Sequence, residues 1–200
     1  ACEPLIGDAS TRKYFRLRKE TASAILMDAS QNLESVAPFI RIGQHLAQLG
    51  FSAPAILARA DDQGLLMVED FGDETFARLL ENQGDPEKLY ALATDVLIAL
   101  HKHPQAIPRN LRVYHPQKML EDIELFLEWR TPAISETGKA VFRAVWREVL
   151  PLAHQVPASL LLRDFHVANL MLLPKRDGVR QAGLLDFQDA YQGPITYDLM

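Results

Sequence analysis

Three absences narrow the classes of protein that this sequence can encode. Cys2 is the only cysteine among 200 residues, so the chain cannot form an internal disulfide, which fits a cytoplasmic protein. No apolar run approaches the roughly 20 residues that cross a bilayer as a helix, and we expect no membrane partner. The formal net charge of −5 argues against a nucleic-acid partner. With 48% hydrophobic residues, the chain can still bury the core of one large domain or two small lobes.

The most informative stretch is residues 161–169, which contains Asp164 and Asn169 and is followed by Asp186 after a further seventeen positions. An aspartate, an asparagine five positions on and an aspartate after an apolar segment form the phosphoryl-transfer pattern of protein-kinase-like enzymes. A carboxylate such as Asp164 can orient an alcohol O–H and accept its proton. The amide oxygen of Asn169 and the carboxylate of Asp186 are hard ligands that suit Mg²⁺ on ATP phosphates.

The segment between Asn169 and Asp186 predicts a β-hairpin. Apolar runs at 170–173 and 183–185 flank a polar tip at 174–178. Such a hairpin would return Asp186 to the side of Asn169. A lone Asp and Asn at this spacing would more often only cap a turn, whereas three placed residues with a hairpin between them favour the catalytic interpretation.

The periodicity of apolar residues changes along the chain. Residues 14–18, 22–27 and 65–68 are typical of strands, and a helical stripe between them ends at Gly50. After Gly72 the period becomes that of a helix. The first part therefore predicts a small sheet with one helix, and the rest a mainly helical region.

A helix start is clearest at Asp85, a candidate N-cap that precedes a proline. The helical stripes that follow cover residues 89–100, 119–127 and 141–152. Together these patterns predict an α+β, two-lobed fold of the protein-kinase type. Residues 1–70 would form an N-terminal lobe with a small antiparallel sheet, and residues 71–200 a mainly helical C-terminal lobe.

The boundary between the lobes has chemistry suited to a nucleotide. A base needs an apolar slot with backbone donors and acceptors at its edge, and the apolar strand 65–68 with its polar exit 69–72 has this form. An ordinary linker would look the same. Residues 7–11 could fold over phosphates with small side chains and backbone N–H groups, although a simple turn fits equally well.

Three blocks together resemble the aminoglycoside phosphotransferase family of small-molecule kinases. They are residues 164–169, 186–190 and 193–198, and further matching segments run nearly from end to end. Met27 with Asp28, and the blocks after Asp186, are most similar to the bacterial N-acetylmuramate/N-acetylglucosamine anomeric kinases.

This resemblance implies that ATP donates a phosphoryl group to a small-molecule sugar with Mg²⁺ as cofactor, which gives the sugar 1-phosphate and ADP. It makes Asp164 the catalytic base, and Asn169 and Asp186 the metal ligands. It places nucleotide contacts at Ser10, Thr11, Arg12, Met67, Val68, Glu69 and Asp70. It suggests acceptor contact or loop support for His166, Asp189 and Asp198.

Two residues depart from the protein-kinase pattern. Met27 stands where those enzymes carry the lysine that pairs with the α/β-phosphates, so Mg²⁺ with Arg12 or Arg16 would have to neutralise them. Leu162 stands in place of the histidine that normally orders the catalytic loop. These departures leave a nucleotide-binding module without turnover as an alternative. Retention of Asp164 with its two partner residues favours the active kinase.

The acceptor stays open at this point. An aminoglycoside or a choline-like alcohol is the alternative to an amino sugar, and an acidic pocket would favour those cations. In the family that the chain resembles, acceptor contacts come largely from helices after the catalytic motifs, and we expect a chain whose C-terminal lobe is incomplete. The oligomeric state and the role of Glu34 are not indicated by the sequence.

Overall fold

The computed structural model describes residues 1–5, 12–131 and 133–199. The strands within them are β1 (Cys2–Leu5), β2 (Lys13–Lys19), β3 (Ala22–Asp28), β4 (Ile56–Ala60), β5 (Leu65–Glu69), β6 (Ala158–Leu161), β7 (Leu170–Leu172), β8 (Ala182–Leu184) and β9 (Tyr191–Pro194). The α-helices are α1 (Val36–Gln48), α2 (Phe76–Glu81), α3 (Pro86–Lys102), α4 (Pro116–Trp129) and α5 (Glu136–Ala153). Strands thus dominate the first third of the chain and helices its middle.

An antiparallel five-stranded sheet in the order β1-β2-β3-β5-β4 forms the N-terminal part. Its longest pairing joins β2 to β3 without interruption, from Lys13 opposite Asp28 to Lys19 opposite Ala22. β5 pairs with β3 on one side and with β4 on the other. The strand that leads to the lobe boundary therefore has both of its edges occupied.

The helix α1 packs on the core through an apolar stripe. Phe39, Ile42 and Leu46 lie on this stripe and are buried. The helix ends at Gln48, and Gly50 follows it with φ +89°, a left-handed conformation that glycine adopts without steric cost. The helix end predicted at this glycine is confirmed.

Gly43, in the middle of α1, allows a close approach between this helix and the later part of the chain. A Cβ at this position would lie 3.1 Å from the ring of Phe187. Phe39 stacks on the same ring with centroids 5.1 Å apart. Because Phe187 is buried and directly follows Asp186, α1 helps to fix the backbone at the predicted metal ligand.

The helix α3 begins as predicted. The Asp85 carboxylate accepts hydrogen bonds from the backbone N–H groups of Glu87 and Lys88, and Pro86 occupies the first turn. Its buried face consists of Leu89, Ala93, Val96, Leu97 and Leu100. In the described part of the chain no helix combines the length and the apolar character needed to span a membrane.

One continuous hydrophobic cluster joins the sheet to the helical part. It contains Met27 and Leu66 from the sheet together with Leu160 and Leu184 from later strands. The predicted α+β fold, with an antiparallel sheet first and mainly helices after it, is confirmed. The division into lobes at residue 70 stays a prediction.

Arg16 on β2 is a buried charge that fastens the sheet to the segment after β5. Its Nε lies 2.8 Å from Oδ2 of Asp70, and its Nη1 donates to Asp73 at 2.7 Å. Its Nη2 donates to Oδ1 of Asp70 at 3.0 Å and to the carbonyl of Gly72 at 2.9 Å. These contacts bind the guanidinium to the segment after β5. The hypothesis that Arg16 neutralises phosphates therefore loses its support.

We expect Arg16→Ala to lower the free energy of unfolding by about 2 kcal/mol, because it leaves the buried Asp70 carboxylate without its partner. Urea unfolding of both proteins measures this loss. Arg18→Ala is the matched control, since Arg18 lies on the same strand and pairs at 3.5 Å with Glu3 where both side chains are half exposed. Equal losses in the two variants would contradict a bracing role for Arg16.

Candidate active site

The loop predicted to be catalytic, residues 162–169, joins β6 to β7, and its start is held by Asp198. The two carboxylate oxygens of Asp198 accept hydrogen bonds from the backbone N–H groups of Leu162 at 2.7 Å and Arg163 at 2.9 Å. Asp198 is buried. These bonds are the contacts expected of a residue that supports the loop.

The rest of the loop folds around Asp164. The N–H of His166 donates to the carbonyl of Asp164 at 3.1 Å, and the N–H of Asn169 donates to the carbonyl of His166 at 2.8 Å. The side-chain Nδ2 of Asn169 donates to the Asp164 carbonyl at 3.0 Å and lies 3.1 Å from Nε2 of His166. Because Nδ2 makes these contacts, Oδ1 is the Asn169 atom that can face a cation.

The electrostatic surroundings of Asp164 suit a proton acceptor. Desolvation by the protein on one side raises the pKa of its carboxyl, and the neighbouring Asp186 carboxylate raises it further. Arg163 acts in the opposite direction. The side chain keeps an exposed face, so a substrate hydroxyl can reach it. A raised pKa improves a carboxylate as a general base.

The predicted hairpin returns the chain to the catalytic loop. β7 pairs with β8 in antiparallel register, with Leu170 opposite Leu184. The N–H of Leu185 then donates to the carbonyl of Asn169 at 3.0 Å. Asp186 therefore directly follows a residue that is bonded to Asn169. The predicted hairpin is confirmed.

Asp186 has a left-handed backbone, φ +55°, and two donors on one oxygen of its side chain. Nη2 of Arg12 donates to Oδ1 at 2.7 Å, and Nε2 of Gln188 donates to the same oxygen at 2.8 Å. Gln188 also donates to Asp189 at 3.1 Å and is buried, so it holds the two carboxylates in relation to each other. Sequence reasoning missed this role of Gln188, which lies between two residues that it did select.

The residues present fit a hard cation that is shared with phosphate oxygens. Asn169 offers an amide oxygen, and Asp186 offers the carboxylate oxygen that the two donors leave open. Among the described residues no group of three or more His, Cys, Asp or Glu side chains could enclose a metal ion. An ion here would therefore depend on its substrate for further ligands, as Mg²⁺ at a nucleotide commonly does.

The predicted phosphate loop, residues 7–11, lies outside the described residues, and Arg12 directly after it is the predicted phosphate contact that the structure describes. Its side chain is largely buried and lies against Asp186. Ser10 and Thr11, the other two predicted phosphate contacts, lie outside the described residues. The basic group of Arg12 thus reaches the metal-ligand candidate from the far end of the chain, across 174 positions.

Two of the residues predicted to form the nucleotide hinge are paired with neighbouring strands of the sheet. Met67 and Val68 have paired neighbours on both sides, and the N–H of Glu69 donates to the carbonyl of Ala55 at 2.8 Å. The carboxylate of Asp70 is taken by Arg16 and the N–H of Gly72. Met67 and Val68 thus lie in the paired part of the strand, next to an irregular register between Ile56 and Ala58, and a nucleotide hinge at residues 67–70 stays a prediction.

Two residues that depart from the protein-kinase pattern are core residues here. Met27 is fully buried in the cluster shared by sheet and helices, and Leu162 is buried at the start of the catalytic loop. A lysine at position 27 would have to bury its charge. The loop order that a histidine would supply comes instead from Asp198, through the backbone. Glu34 is exposed in a 3₁₀ turn that precedes α1.

Asp198 predicts a pH dependence of stability. Burial raises the pKa of its carboxyl from 3.8 to about 6. Because the folded pKa lies above the unfolded one, the stabilising contribution is complete below the unfolded pKa and is lost as the pH rises through the folded pKa. We expect the wild-type protein to lose about 3 kcal/mol relative to Asp198→Asn over this range.

Urea unfolding of both proteins from about pH 4 to about pH 7 measures this difference. At each pH the Asp198→Asn protein is the control for the wild type, since the two proteins share all other titrating groups. Parallel stability curves would show that the Asp198 carboxyl has its ordinary pKa.

Known proteins resemble this chain over nearly its whole length. A family model described as the phosphotransferase enzyme family matches residues 1–200. The curated N-acetylmuramate/N-acetylglucosamine kinase of Caulobacter vibrioides is 32% identical over 237 residues, which cover 98% of this chain and 65% of that protein. The enzyme of the same name from Pseudomonas aeruginosa is 34% identical over 203 residues, covering 98% and 57%. The chain thus spans about three fifths of the length of these relatives.

Solved structures share the fold at low sequence identity. The streptomycin–ATP–APH(2″)-IIa ternary complex has a TM-score of 0.65 at 14% identity and covers 99% of this chain and 69% of that chain. Choline kinase LicA from Streptococcus pneumoniae has a TM-score of 0.67 at 14% identity, covering 100% and 66%. These likenesses show the kinase-like fold alone. The family match over the whole chain and the curated relatives show that the chain belongs to the phosphotransferase enzyme family.

Proposed function

We propose that the protein transfers the γ-phosphoryl group of ATP to a hydroxyl of a small-molecule acceptor. The observation that carries this proposal is the convergence of Asp164, Asn169 and Asp186 around one hairpin and loop. A proton acceptor beside two hard oxygen ligands is what phosphoryl transfer to an alcohol requires. The family to which the chain belongs supports the same reaction class.

Asp164 would act on the acceptor. Its carboxylate would orient the acceptor O–H and take up the proton as the new P–O bond forms. Its exposed face leaves room for the acceptor, while its raised pKa favours proton uptake. The backbone bonds from Asp198 would keep the loop that carries this carboxylate in place.

The remaining residues would act on the nucleotide. Mg²⁺, when bound, would neutralise and bridge the phosphates, and Asn169 with Asp186 would hold it. Arg12 donates to Asp186 at this position, and we propose that it faces the phosphates together with Ser10 and Thr11. The base would dock where β5 ends, from residue 69 onward.

We propose an amino sugar as the acceptor and its anomeric hydroxyl as the site of transfer. The support is that the curated relatives are named N-acetylmuramate/N-acetylglucosamine kinase. Such an enzyme would phosphorylate sugars recovered from the cell wall. Its need for ATP would place it in the cytoplasm.

The test is turnover with a panel of acceptors. The natural full-length protein is incubated with Mg·ATP and, separately, N-acetylmuramate, N-acetylglucosamine, an aminoglycoside or choline, and ADP release is measured. We expect release with the two amino sugars. ADP release with the aminoglycoside or choline alone would overturn the proposal of an amino-sugar acceptor. ATP binding without turnover on any acceptor would indicate a non-catalytic module.

A further inference from the structure

Arg163, the residue before Asp164, has a costly backbone conformation. Its φ of +68° lies in the left-handed region, which costs a residue with a side chain about 1 kcal/mol. Its N–H is held by Asp198 at 2.9 Å. A conformation of this kind persists only where the surroundings impose it. Whatever holds Arg163 therefore also sets the direction in which the chain enters Asp164.

The side chain of Arg163 lies between the rings of Tyr114 and Tyr191 and the carboxylate of Asp122, with Tyr197 as a further electrostatic partner. Its Cζ is 5.3 Å from the ring centre of Tyr114 and 5.4 Å from that of Tyr191, and its Nη2 donates to Asp122 at 3.1 Å. Its Nε is buried without a hydrogen-bond partner among the residues that the structure describes.

Asp122, on α4, is itself held from two sides. The hydroxyl of Tyr114 donates to its Oδ2 at 2.6 Å, and Nζ of Lys118 donates to its Oδ1 at 2.7 Å. Burial acts to raise the pKa of the Asp122 carboxyl, but these bonds and the charge of Arg163 lower it overall. The carboxylate is therefore a fixed anion that ties the catalytic loop to α4.

We propose that the Asp122–Arg163 ion pair is a positioning device for the catalytic base. It anchors the residue before Asp164 to α4 and so determines where the Asp164 carboxylate lies relative to the acceptor. Asp122 and Arg163 are positioning residues that act through Asp164. This inference rests on the proposed phosphoryl transfer.

The helix α4 offers a matched control. Glu124 lies two positions after Asp122, on nearly the opposite face of the same helix, and forms an ion pair with Arg143 of α5 at 2.9 Å. Its side chain is 29% exposed and that of Asp122 is 22% exposed, so the two carboxylates are similarly placed with respect to solvent. Glu124→Gln therefore removes an equivalent charge whose partner lies in α5 and not in the catalytic loop.

The test is a double-mutant cycle on turnover with Asp122→Asn, Arg163→Met and the double variant in the natural full-length protein. We expect each single change to lower kcat by on the order of tenfold, since a small displacement of a catalytic group has effects of this size or larger. The KM for ATP should stay within about twofold, because the pair acts on the acceptor side. The double variant should be no worse than the poorer single one.

Arg163→Lys keeps the charge and the backbone strain and should recover part of the lost kcat, whereas Glu124→Gln should leave kcat unchanged. Amide hydrogen exchange supplies a readout that does not depend on turnover, and we expect faster exchange in residues 164–169 of Arg163→Met with no change in the five-stranded sheet.

Normal kcat in folded Arg163→Met, multiplicative losses in the double variant, or unchanged exchange in the loop would each overturn the inference. If Arg163→Met does not fold, Asp122→Asn and Arg163→Lys carry the same comparison. Absence of turnover in the wild-type protein would overturn the proposed function, and the exchange measurement would then still decide whether the pair holds the loop.

Discussion

Replacing Asp164 with asparagine is expected to lower phosphoryl transfer by about 10²- to 10⁴-fold, the contribution of a positioned acid–base group. The amide keeps the size of the side chain but cannot take the proton of the acceptor. ATP affinity should change little, because the carboxylate would contact the acceptor. Steady-state kinetics and calorimetric ATP titration of the same preparation measure both quantities.

The control for this change is Asp177→Asn. Asp177 lies at the tip of the hairpin that follows the catalytic loop, and its side chain is 96% exposed. We expect this variant to keep wild-type turnover. Near-normal turnover in folded Asp164→Asn would show that Asp164 is not the general base.

Asp186→Ala is expected to lower turnover by at least about 10²-fold and also to remove most of the effect of Mg²⁺ on ATP affinity. The change deletes the carboxylate proposed to hold the ion, and it also releases Arg12 and Gln188. The effect of the metal is separated from these releases by the ratio of ATP dissociation constants measured with and without Mg²⁺. This ratio should approach one in the variant.

Loss of the ion pair with Arg12 needs its own comparison. Arg12→Gln releases the same carboxylate oxygen but leaves Asp186 in place, so it should weaken ATP binding while retaining the dependence on Mg²⁺. A dependence on Mg²⁺ in Asp186→Ala equal to that of the wild type would exclude Asp186 as a metal ligand.

The elements that sequence reasoning predicted correctly are determined by local pattern. The start of α3 depends on Asp85 and the proline after it, and the end of α1 depends on Gly50. The hairpin of β7 and β8 joins two apolar runs close in sequence. In each case the residues that decide the structure lie within a few positions of one another, so a single sequence is sufficient.

The elements that it missed depend on distant partners. β6 pairs with β9, with Leu161 opposite Tyr191, and each strand has only four residues. β4 lies on the edge of the sheet and has exposed residues over most of its length, so it lacks a regular apolar alternation. β1 is mostly exposed as well. Such strands are stabilised by the sheet beside them more than by their own composition.

The site shows the same division. Residue types and spacing were sufficient to select Asp164, Asn169 and Asp186 as candidates, because their chemistry is recognisable in isolation. The ion pair beside Asp164 was not recognisable, because Asp122 lies 41 positions from Arg163 and reaches it only through the fold. A charged residue directly before Asp164 was the one available signal for this ion pair.

The predicted nucleotide hinge depends on pairing that the local sequence does not show. An apolar strand with a polar exit was recognised, but the sequence does not show that Met67 and Val68 belong to a strand with neighbours on both sides. Whether backbone groups are free depends on pairing across the sheet. The hinge at residues 67–70 therefore stays a prediction.

The most direct test of the account is to locate the transferred phosphate by ³¹P NMR. The natural full-length protein is incubated with Mg·ATP and N-acetylglucosamine, and in parallel with its methyl glycoside, in which the anomeric hydroxyl is blocked. We expect a sugar 1-phosphate from the free sugar and no product from the glycoside. Phosphorylation of the glycoside, or a phosphate on another hydroxyl of the free sugar, would contradict it.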